Sequence, residues 1–473
     1  MLPAPEICER ARLSRDPRFD GWFYVGVLTT GIYCRPVCPA RLPDAANVRF
    51  YPSAAAAQDA GFRPCLRCRP ERAASLPEWG VRSPMVVRAL RLIERGALDD
   101  GNGAALAARV GVSERHLNRL FHESLGATAK QVALARRRHL AKRLIDETDL
   151  PLATLALQAG YCSVRRFNDD LRTVYGRTPS ELRQSARGNR SAAKPVATAL
   201  GAPGGFALRL AVRTPFDAPT LFGFLERRAL AGFEEVEGLR YRRRIPDGAG
   251  GSAWVSVEWR GDALRLAVPD GAAIDLADLL YRVRRVFDVD ADAGVIDAHL
   301  AGDPLLGGFV AGRGGLRVPG AWSGYETAVR AVLGQQVSVA AATGLAARLL
   351  THLGDEALSN PEVLARADPG NLGMPGKRAA ALKALAARVL AGDLELHAGA
   401  DPQQLARALC AIPGIGPWTA GYVGMRVLRD PDAFPDNDWV VRQRLADTPA
   451  AIRRRAEAWR PWRAYAVMYL WRG

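Results

Sequence analysis

Four cysteines near the N-terminus constrain this chain more than any other feature of its sequence. Cys34 and Cys38 precede Cys65 and Cys68, so a Cys-x3-Cys pair is followed by a Cys-x2-Cys pair in a chain that has only 7 cysteines. This spacing lets two short loops meet in a tetrahedral site of four thiolates, the usual arrangement for zinc. We therefore predict one Zn2+ per chain. From spacing alone, a closed site of this kind is more often structural than reactive.

The charge of the chain favours double-stranded DNA as a partner. The formal net charge is +16 over 473 residues, and a basic surface gains affinity for nucleic acid by releasing counterions from phosphates. The sequence opens without an apolar signal segment and has no apolar run long enough to span a membrane. We therefore expect a cytoplasmic, nucleoid-associated protein with no membrane partner. In that reducing compartment, paired cysteines are more often metal ligands than disulfides.

Composition shifts predict several domains. Residues 71–82 and 185–205 have the small and charged composition of linkers, and strand-like alternation follows the second of them. From Trp322 onward the pattern becomes helical. We predict domains at 1–78, 83–186, 205–308 and 309–473, with a linker at 187–204. The predicted fold class is multidomain α+β: a small zinc-bound α/β domain, an all-α double helix-turn-helix, an α+β domain and an all-α helix-hairpin-helix domain.

The sequence around the cysteines, "DGWFYVGVLTTGIYCRPVCPARLPD", closely resembles the N-terminal domain of Ada-type adaptive-response proteins. In that family the first of the four cysteines, here Cys34, takes a methyl group from a methylphosphotriester in DNA. A thiolate is the nucleophile that this displacement requires. Methylation would remove a negative charge close to DNA phosphates, so affinity should rise. The flanking Arg35, Arg63, Arg67 and Arg69 are candidates for holding the DNA backbone, with a merely solvated role as the alternative.

Residues 84–184 contain two helix-turn-helix patterns. In "LAARVGVSERHLNRLFHESLG" and "LATLALQAGYCSVRRFNDDL", a glycine marks each turn and a serine caps each following helix. The stretch resembles an AraC-type DNA-binding domain, in which each recognition helix enters a major groove. The resemblance implies transcriptional activation, with RNA polymerase as a candidate partner. The candidate DNA contacts, each with a solvated surface role as the alternative, are Arg115, Asn118, Arg119, Arg165 and Asn168.

A hairpin motif in the last part of the chain indicates a DNA-binding function. "LCAIPGIGPWTAGYV" places Gly414 and Gly416 where backbone amides and a helix N-terminus can approach a phosphate. The hairpin is followed by "FPDNDWVVRQRL". The combination resembles the helix-hairpin-helix superfamily of base-excision DNA glycosylases. The closest match is to AlkA-type 3-methyladenine glycosylases, over most of residues 206–473.

That resemblance assigns the catalytic carboxylate to Asp438, because its spacing to Arg442 is the family's. Asp436 is the less favoured candidate, and a helix cap is the alternative role for Asp438. The carboxylate would stabilise the oxocarbenium-like sugar as the base departs. Bifunctional relatives carry a Schiff-base lysine where this chain has Trp418. We therefore predict a monofunctional hydrolase, and no iron–sulfur cluster, since the C-terminal four-cysteine motif is absent from the sequence.

The same resemblance predicts a pocket for a flipped base. Trp418, Tyr422 and Trp471 match aromatic positions at which rings stack on an electron-poor base, with ordinary core packing as the alternative. Gln336 occupies the position of the residue that wedges into the duplex, which is Leu in the best-known form of the family. Gln can fill the gap and hydrogen-bond the orphaned base, but it is less apolar.

Taken together, these features predict a DNA alkylation repair and response protein that acts on alkylated DNA and whose methyl acceptor is consumed by its reaction. Two alternatives remain. The first two domains could serve only to target the enzyme, or the chain could be a regulator whose glycosylase-like half binds DNA without catalysis. Typical Ada-type proteins end in a guanine methyltransferase with a Pro-Cys-His-Arg motif. No such motif occurs here, so direct reversal of guanine alkylation is not predicted.

Overall fold

The computed structural model describes residues 2–16, 19–73, 83–99, 101–189, 205–247, 250–261, 263–270, 272, 274–368, 374–397 and 400–472. The chain forms two compact units, Met1–Arg213 with Pro246–Tyr281 and Thr214–Ile245 with Arg282–Gly473. Most of the two predicted linkers lies outside the described residues, although a helix continues to Asn189. The predicted multidomain α+β fold class is confirmed, whereas the four domain boundaries stay predictions. No helix among the described residues is both long and apolar enough to cross a membrane.

The first unit begins with a small sheet flanked by two helices. The sheet's outer parallel pair is formed by Ile32–Cys34 and Arg63–Pro64. Phe23 and Val25 pack with Cys8 of the first helix, which gives this part its apolar core. In chain order the elements are helix Pro5–Ser14, strands Tyr24–Val27 and Ile32–Cys34, a 3-10 turn at Ala45–Asn47, strand Val48–Tyr51, helix Ala54–Asp59, strand Arg63–Pro64 and a 3-10 turn at Pro70–Arg72.

Seven helices of the first unit form the predicted double helix-turn-helix. Gly111 and Gly160 adopt φ of +81° and +88°, a left-handed turn conformation that glycine reaches at no steric cost. The side chains of Ser113 and Ser163 cap the two recognition helices, as the sequence predicts. The helices are Pro84–Glu94, Gly103–Arg109, Glu114–Leu125, Ala129–Glu147, Leu152–Gln158, Val164–Tyr175 and Pro179–Asn189. We call Ala129–Glu147, which joins the two motifs, the linker helix.

Within the first unit, the linker helix is bound to the cysteine-bearing part by buried polar contacts. The Tyr33 hydroxyl lies 2.9 Å from His139 Nε2 and accepts a hydrogen bond of 2.9 Å from Gln58. Burial lowers the pKa of His139 to about 4, and neighbouring arginines lower it further. The ring is therefore neutral, and its Nε2 can accept a hydrogen bond from the Tyr33 hydroxyl. A second contact places Lys142 Nζ 2.6 Å from Asp146 and 3.8 Å from Glu71.

The remaining strands of the first unit are Phe206–Ala211, Ser252–Trp259 and Ala263–Val268. The last of these pairs antiparallel with both of the others and lies almost wholly buried.

The second unit contains a β-hairpin and a large group of helices. The hairpin pairs Glu234–Glu237 with Arg240–Pro246. Helix Leu276–Val286 spans the boundary between the two units, so helical structure begins well before Trp322, where the sequence pattern becomes helical. The other helices are Ala218–Glu226, Ala293–Leu300, Pro304–Gly312, Gly324–Leu333, Val339–Leu353, Pro361–Arg366, Gly376–Leu390, Pro402–Cys410, Pro417–Val423, Trp439–Leu445, Pro449–Ala456 and Arg463–Arg472, with a π-helical turn at Gly424–Leu428 and 3-10 turns at Asp355–Leu358 and Glu457–Trp459.

An apolar core fixes the helices that carry the hairpin motif. Leu333, Leu382, Leu409 and Val423 come from four different helices and are fully buried in one cluster. Each such buried side chain contributes about 1.5–3 kcal/mol relative to exposure. The core therefore holds the hairpin and the helix after it, Pro417–Val423, in a defined position, and Tyr422 packs at its edge.

Candidate metal centre and candidate active site

The four cysteine sulfurs form a compact cluster, each Sγ lying within 4.8 Å of the other three. Sulfurs around a tetrahedral zinc ion stand about 3.8 Å apart, so the donor set fits zinc with small adjustments. The parallel strands explain the convergence, because Cys34 ends one strand and Cys65 follows its neighbour. Cys34 is half-buried, while Cys38, Cys65 and Cys68 are buried. As a whole residue, the predicted methyl acceptor is thus the least buried of the four.

The arginines around the cluster divide into two kinds. Arg35 pairs with Asp20 and donates to the Cys68 carbonyl oxygen at 3.0 Å, so it supports the loops. Arg69 forms an ion pair with Asp146 of the linker helix at 3.4 Å. Arg63 and Arg67 are exposed, which leaves these two as the better candidates for contact with a DNA backbone.

The five candidate contacts on the recognition helices also differ in their surroundings. Arg115, Arg119, Arg165 and Asn168 are exposed. Asn118 is half-buried, and its side-chain oxygen accepts a hydrogen bond of 3.2 Å from the backbone N–H of Ala129. Asn118 therefore fixes the start of the linker helix, a role that the sequence pattern did not suggest.

The hairpin and the wedge position lie beside each other. Gly414 has φ of +90° and precedes the helix Pro417–Val423, whose N-cap is Gly416. Gln336 is exposed and has φ of +56°, a left-handed conformation that side chains of its kind seldom adopt. Its neighbour Gln335 donates to the Gly414 carbonyl oxygen at 2.9 Å and to the Thr419 hydroxyl at 2.8 Å. Sequence reasoning missed Gln335, which fastens the wedge loop to the hairpin.

Asp438 is buried and accepts three hydrogen bonds. Trp418 Nε1 donates to one carboxylate oxygen at 2.8 Å, and Trp471 Nε1 donates to the other at 3.0 Å. The backbone N–H of Val441 donates to that second oxygen at 3.1 Å, so Asp438 is also the N-cap of Trp439–Leu445. The cap and the candidate catalytic role therefore coincide.

The neighbouring carboxylate, that of Asp436, makes a different contact. Asp436 forms an ion pair of 2.6 Å with Arg453 at the surface. Arg442, which the sequence places one turn after Asp438, is exposed.

Three aromatic rings, the candidates for a base pocket, lie close to Asp438. Trp418 and Tyr422 are stacked, with ring centroids 5.5 Å apart and an interplanar angle of 20°. Trp471 lies on the other side of Tyr422 at 6.2 Å. All three are half-buried. The side chain of Trp439, directly after the candidate carboxylate, is 72% exposed.

Comparison with known proteins agrees with this arrangement. Family models match residues 7–71 (metal binding domain of Ada), 106–185 (helix-turn-helix domain) and 207–323 (AlkA N-terminal domain). The probable bifunctional transcriptional activator/DNA repair enzyme AlkA of Mycobacterium tuberculosis is 43% identical over 98% of this chain and 96% of its own length. DNA-3-methyladenine glycosylase 2 of Escherichia coli is 36% identical over 54% of this chain and 94% of its own length. The Ada protein of Escherichia coli is 38% identical over 36% of this chain and 47% of its own length.

The cysteine cluster, the paired helix-turn-helix motifs and the hairpin with its aromatic pocket define a class of protein that joins a DNA-binding regulator to a DNA repair unit. The chain belongs to the family of bifunctional transcriptional activator/DNA repair enzymes of the AlkA type. The Ada-type, AraC-type and AlkA-type resemblances found in the sequence are thereby confirmed. The roles of individual site residues stay predictions.

Proposed function

We propose that this chain repairs alkylated DNA by two separate chemistries and that the first of them also sets its affinity for DNA. Cys34 accepts a methyl group from a methylphosphotriester, and the second unit hydrolyses the glycosidic bond of 3-methyladenine-type purines. The observation that best supports the second activity is the Asp438 carboxylate, held by the Trp418 and Trp471 indoles at the edge of an aromatic pocket.

The first chemistry is a displacement at carbon. Cys34 Sγ attacks the methyl carbon, the S–C bond forms as the C–O bond breaks, and the phosphodiester leaves with the electron pair. Cys34, Cys38, Cys65 and Cys68 would hold one zinc ion, which keeps thiols deprotonated at neutral pH. The product is a thioether that has lost the negative charge of the thiolate, and the transfer occurs once per chain.

The second chemistry needs little acid catalysis, because an N-alkylated purine is cationic and leaves readily. The three donors to Asp438 fix its carboxylate in one orientation, so its charge is preorganised for the developing positive sugar. Water then completes the hydrolysis. Gly414, Gly416 and the N-terminus of Pro417–Val423 would hold a phosphate, and Gln336 would occupy the gap left by the flipped nucleotide.

The absence of an amine at position 418 predicts that base removal stops at an abasic site. Borohydride reduction during turnover should trap no covalent protein–DNA adduct, because Trp418 cannot form a Schiff base. The measurement is denaturing electrophoresis of labelled DNA, with a lysine-dependent glycosylase as positive control. A trapped adduct would show that another amine acts and that the monofunctional assignment is wrong.

Methylation of Cys34 should tighten specific DNA binding by the helix-turn-helix motifs. Removing one negative charge next to the exposed Arg63 and Arg67 favours contact with phosphates, by on the order of fivefold at physiological salt. Gel-shift titration before and after exposure to methylated DNA measures the change, with Cys34→Ala treated in the same way as the control. Equal affinity in the two states would leave these motifs a targeting role only.

One assay separates the proposal from its alternatives. Purified protein is incubated with alkylated DNA, and released bases and protein-bound methyl groups are measured in the same reaction. Both products support the proposal. Base release alone indicates an enzyme with targeting domains, and methyl transfer alone indicates a regulator with a non-catalytic second unit. Transcription with RNA polymerase on a responsive promoter, with and without prior methylation, tests the activator role.

A further inference from the structure

The hydroxyl of Tyr422 is surrounded by positive charge. Arg426 lies one turn later, on the π-helical turn Gly424–Leu428, and donates to the phenol oxygen at 2.5 Å. Arg228, which follows the helix Ala218–Glu226, is the second cation whose charge acts on this phenol and lowers its pKa. Both guanidinium groups also lie over the ring of Phe224, at 4.9 Å and 3.6 Å respectively. Two cations therefore converge on one phenol from different parts of the chain.

These two arginines have no carboxylate partner among the residues that the structure describes. Arg426 is buried, and its other acceptors are the backbone carbonyl oxygens of Pro319 and Gly320. Arg228 donates to the carbonyl oxygen of Phe224 at 3.2 Å. Buried charges are normally paired with an opposite charge, and a guanidinium group does not give up its proton in a protein. The phenol of Tyr422 is the acidic group in position to supply that charge.

The other charged groups near Tyr422 do not change this conclusion. Arg330, on helix Gly324–Leu333, also lowers the pKa of Tyr422, but it is already paired with Glu234 at 2.7 Å and Glu326 at 2.8 Å. The Asp438 carboxylate is held by the two indoles. Burial by itself would raise the pKa of Tyr422, but the arginine charges outweigh burial and lower it.

The direction of its pKa shift distinguishes Tyr422 from the other tyrosines for which a shift is resolved. Wherever a shift is resolved for another tyrosine, the pKa is raised, with burial as the largest cause; these residues are Tyr24, Tyr33, Tyr51, Tyr161, Tyr175, Tyr241, Tyr325, Tyr465 and Tyr469. An ionised phenol at position 422 would thus stand out against a background of neutral ones.

We propose that Tyr422 is ionised at neutral pH, as the counter-ion of Arg426 and Arg228, and that its charge selects cationic N-alkylated purines over neutral ones. The selection rests on the proposed glycosylase function, whereas the ionisation does not. A neutral phenol would leave two guanidinium charges behind the pocket with only a dipole in front of them, and these would repel a cationic base. A phenolate offsets one of those charges and presents an electron-rich ring to the base.

The ionisation is tested without any substrate. The near-ultraviolet spectrum of the parent minus that of Tyr422→Phe at neutral pH should show the absorption of one phenolate per chain, and acid titration should remove it. Tyr51→Phe is the matched control, because Tyr51 is half-buried and its pKa is raised, so its difference spectrum should be that of a phenol. Arg228→Gln, at a half-buried position, should reduce the phenolate signal of the parent even if Arg426→Gln fails to fold. A phenol spectrum for Tyr422 would overturn the proposal.

The selectivity is tested by the ratio of kcat/KM for 7-methylguanine, a cationic base, to that for hypoxanthine, a neutral one. Tyr422→Phe should lower this ratio roughly tenfold or more, since the ring remains while the charge is lost. An unchanged ratio in an active Tyr422→Phe variant would overturn the selective role. A phenolate spectrum in a protein that releases no base would instead reject the proposed glycosylase function and leave the ionisation standing.

Discussion

Asp438→Asn should lower the rate of base release by roughly 10²-fold or more, while affinity for an abasic-site analogue changes much less. The substitution removes the charge that faces the developing positive sugar. The structure adds a second reason for a large effect, because both carboxylate oxygens accept from N–H donors. The amide of Asn must turn its NH2 group toward one of those donors, so the orientation of the side chain is also lost.

The measurement is single-turnover release of 3-methyladenine from DNA, together with thermal unfolding to separate catalysis from stability. Asp436→Asn is a matched control, since it removes the same charge two residues away, from a carboxylate that is paired with Arg453 at the surface. It should release base at close to the parent rate. Release at the parent rate by Asp438→Asn would show that the catalytic assignment is wrong.

Cys34→Ala should abolish methyl transfer from phosphotriesters and leave base release intact. The substitution removes the nucleophilic sulfur, and the candidate carboxylate lies in the other unit of the chain. Protein-bound methyl is measured after incubation with DNA that carries labelled methylphosphotriesters. Metal analysis of the parent should give one zinc per chain.

Cys162→Ala provides the control for this experiment, because Cys162 is exposed and isolated from the cluster. It should accept methyl groups as the parent does. Undiminished methylation of Cys34→Ala would reject the acceptor assignment, and a parent protein free of zinc with four titratable thiols would reject the metal site.

Local patterns in the sequence predicted much of this architecture. Four cysteines at short spacing, paired glycine and serine signals and the Pro-Gly-Ile-Gly hairpin each depend on residues close together in the chain, and the structure forms each of these motifs. The fold class and family membership follow from them. The pocket could be assembled from sequence only through resemblance, since Trp418, Asp438 and Trp471 approach one another from separate helices of the second unit.

The features that sequence reasoning missed depend on contacts between distant segments. Arg228 reaches Tyr422 from almost 200 residues away, and no periodicity marks it among 65 lysines and arginines. In the sequence Gln335 is an ordinary polar residue, and only the structure shows that it donates to the Gly414 carbonyl oxygen and the Thr419 hydroxyl. Asn118 has the helix position of a DNA contact, and its side-chain oxygen also accepts a hydrogen bond from the first residue of the linker helix. In each case the residue type permits several roles, and the contact becomes visible only in the tertiary packing.

The contacts between the linker helix and the cysteine-bearing part fix the position of one relative to the other within the first unit. Tyr33, adjacent to the proposed methyl acceptor Cys34, contacts His139 near the middle of the linker helix, and Lys142 of the same helix lies 3.8 Å from Glu71. These contacts hold the part that carries Cys34 against the linker helix, which joins the two recognition helices. B-form DNA repeats every 10–10.5 base pairs or so. On the proposed function, with both recognition helices in major grooves, Cys34 would reach only phosphates at one phase of that repeat and on one strand. A methylphosphotriester elsewhere along the duplex would then be reached only in a separate binding event.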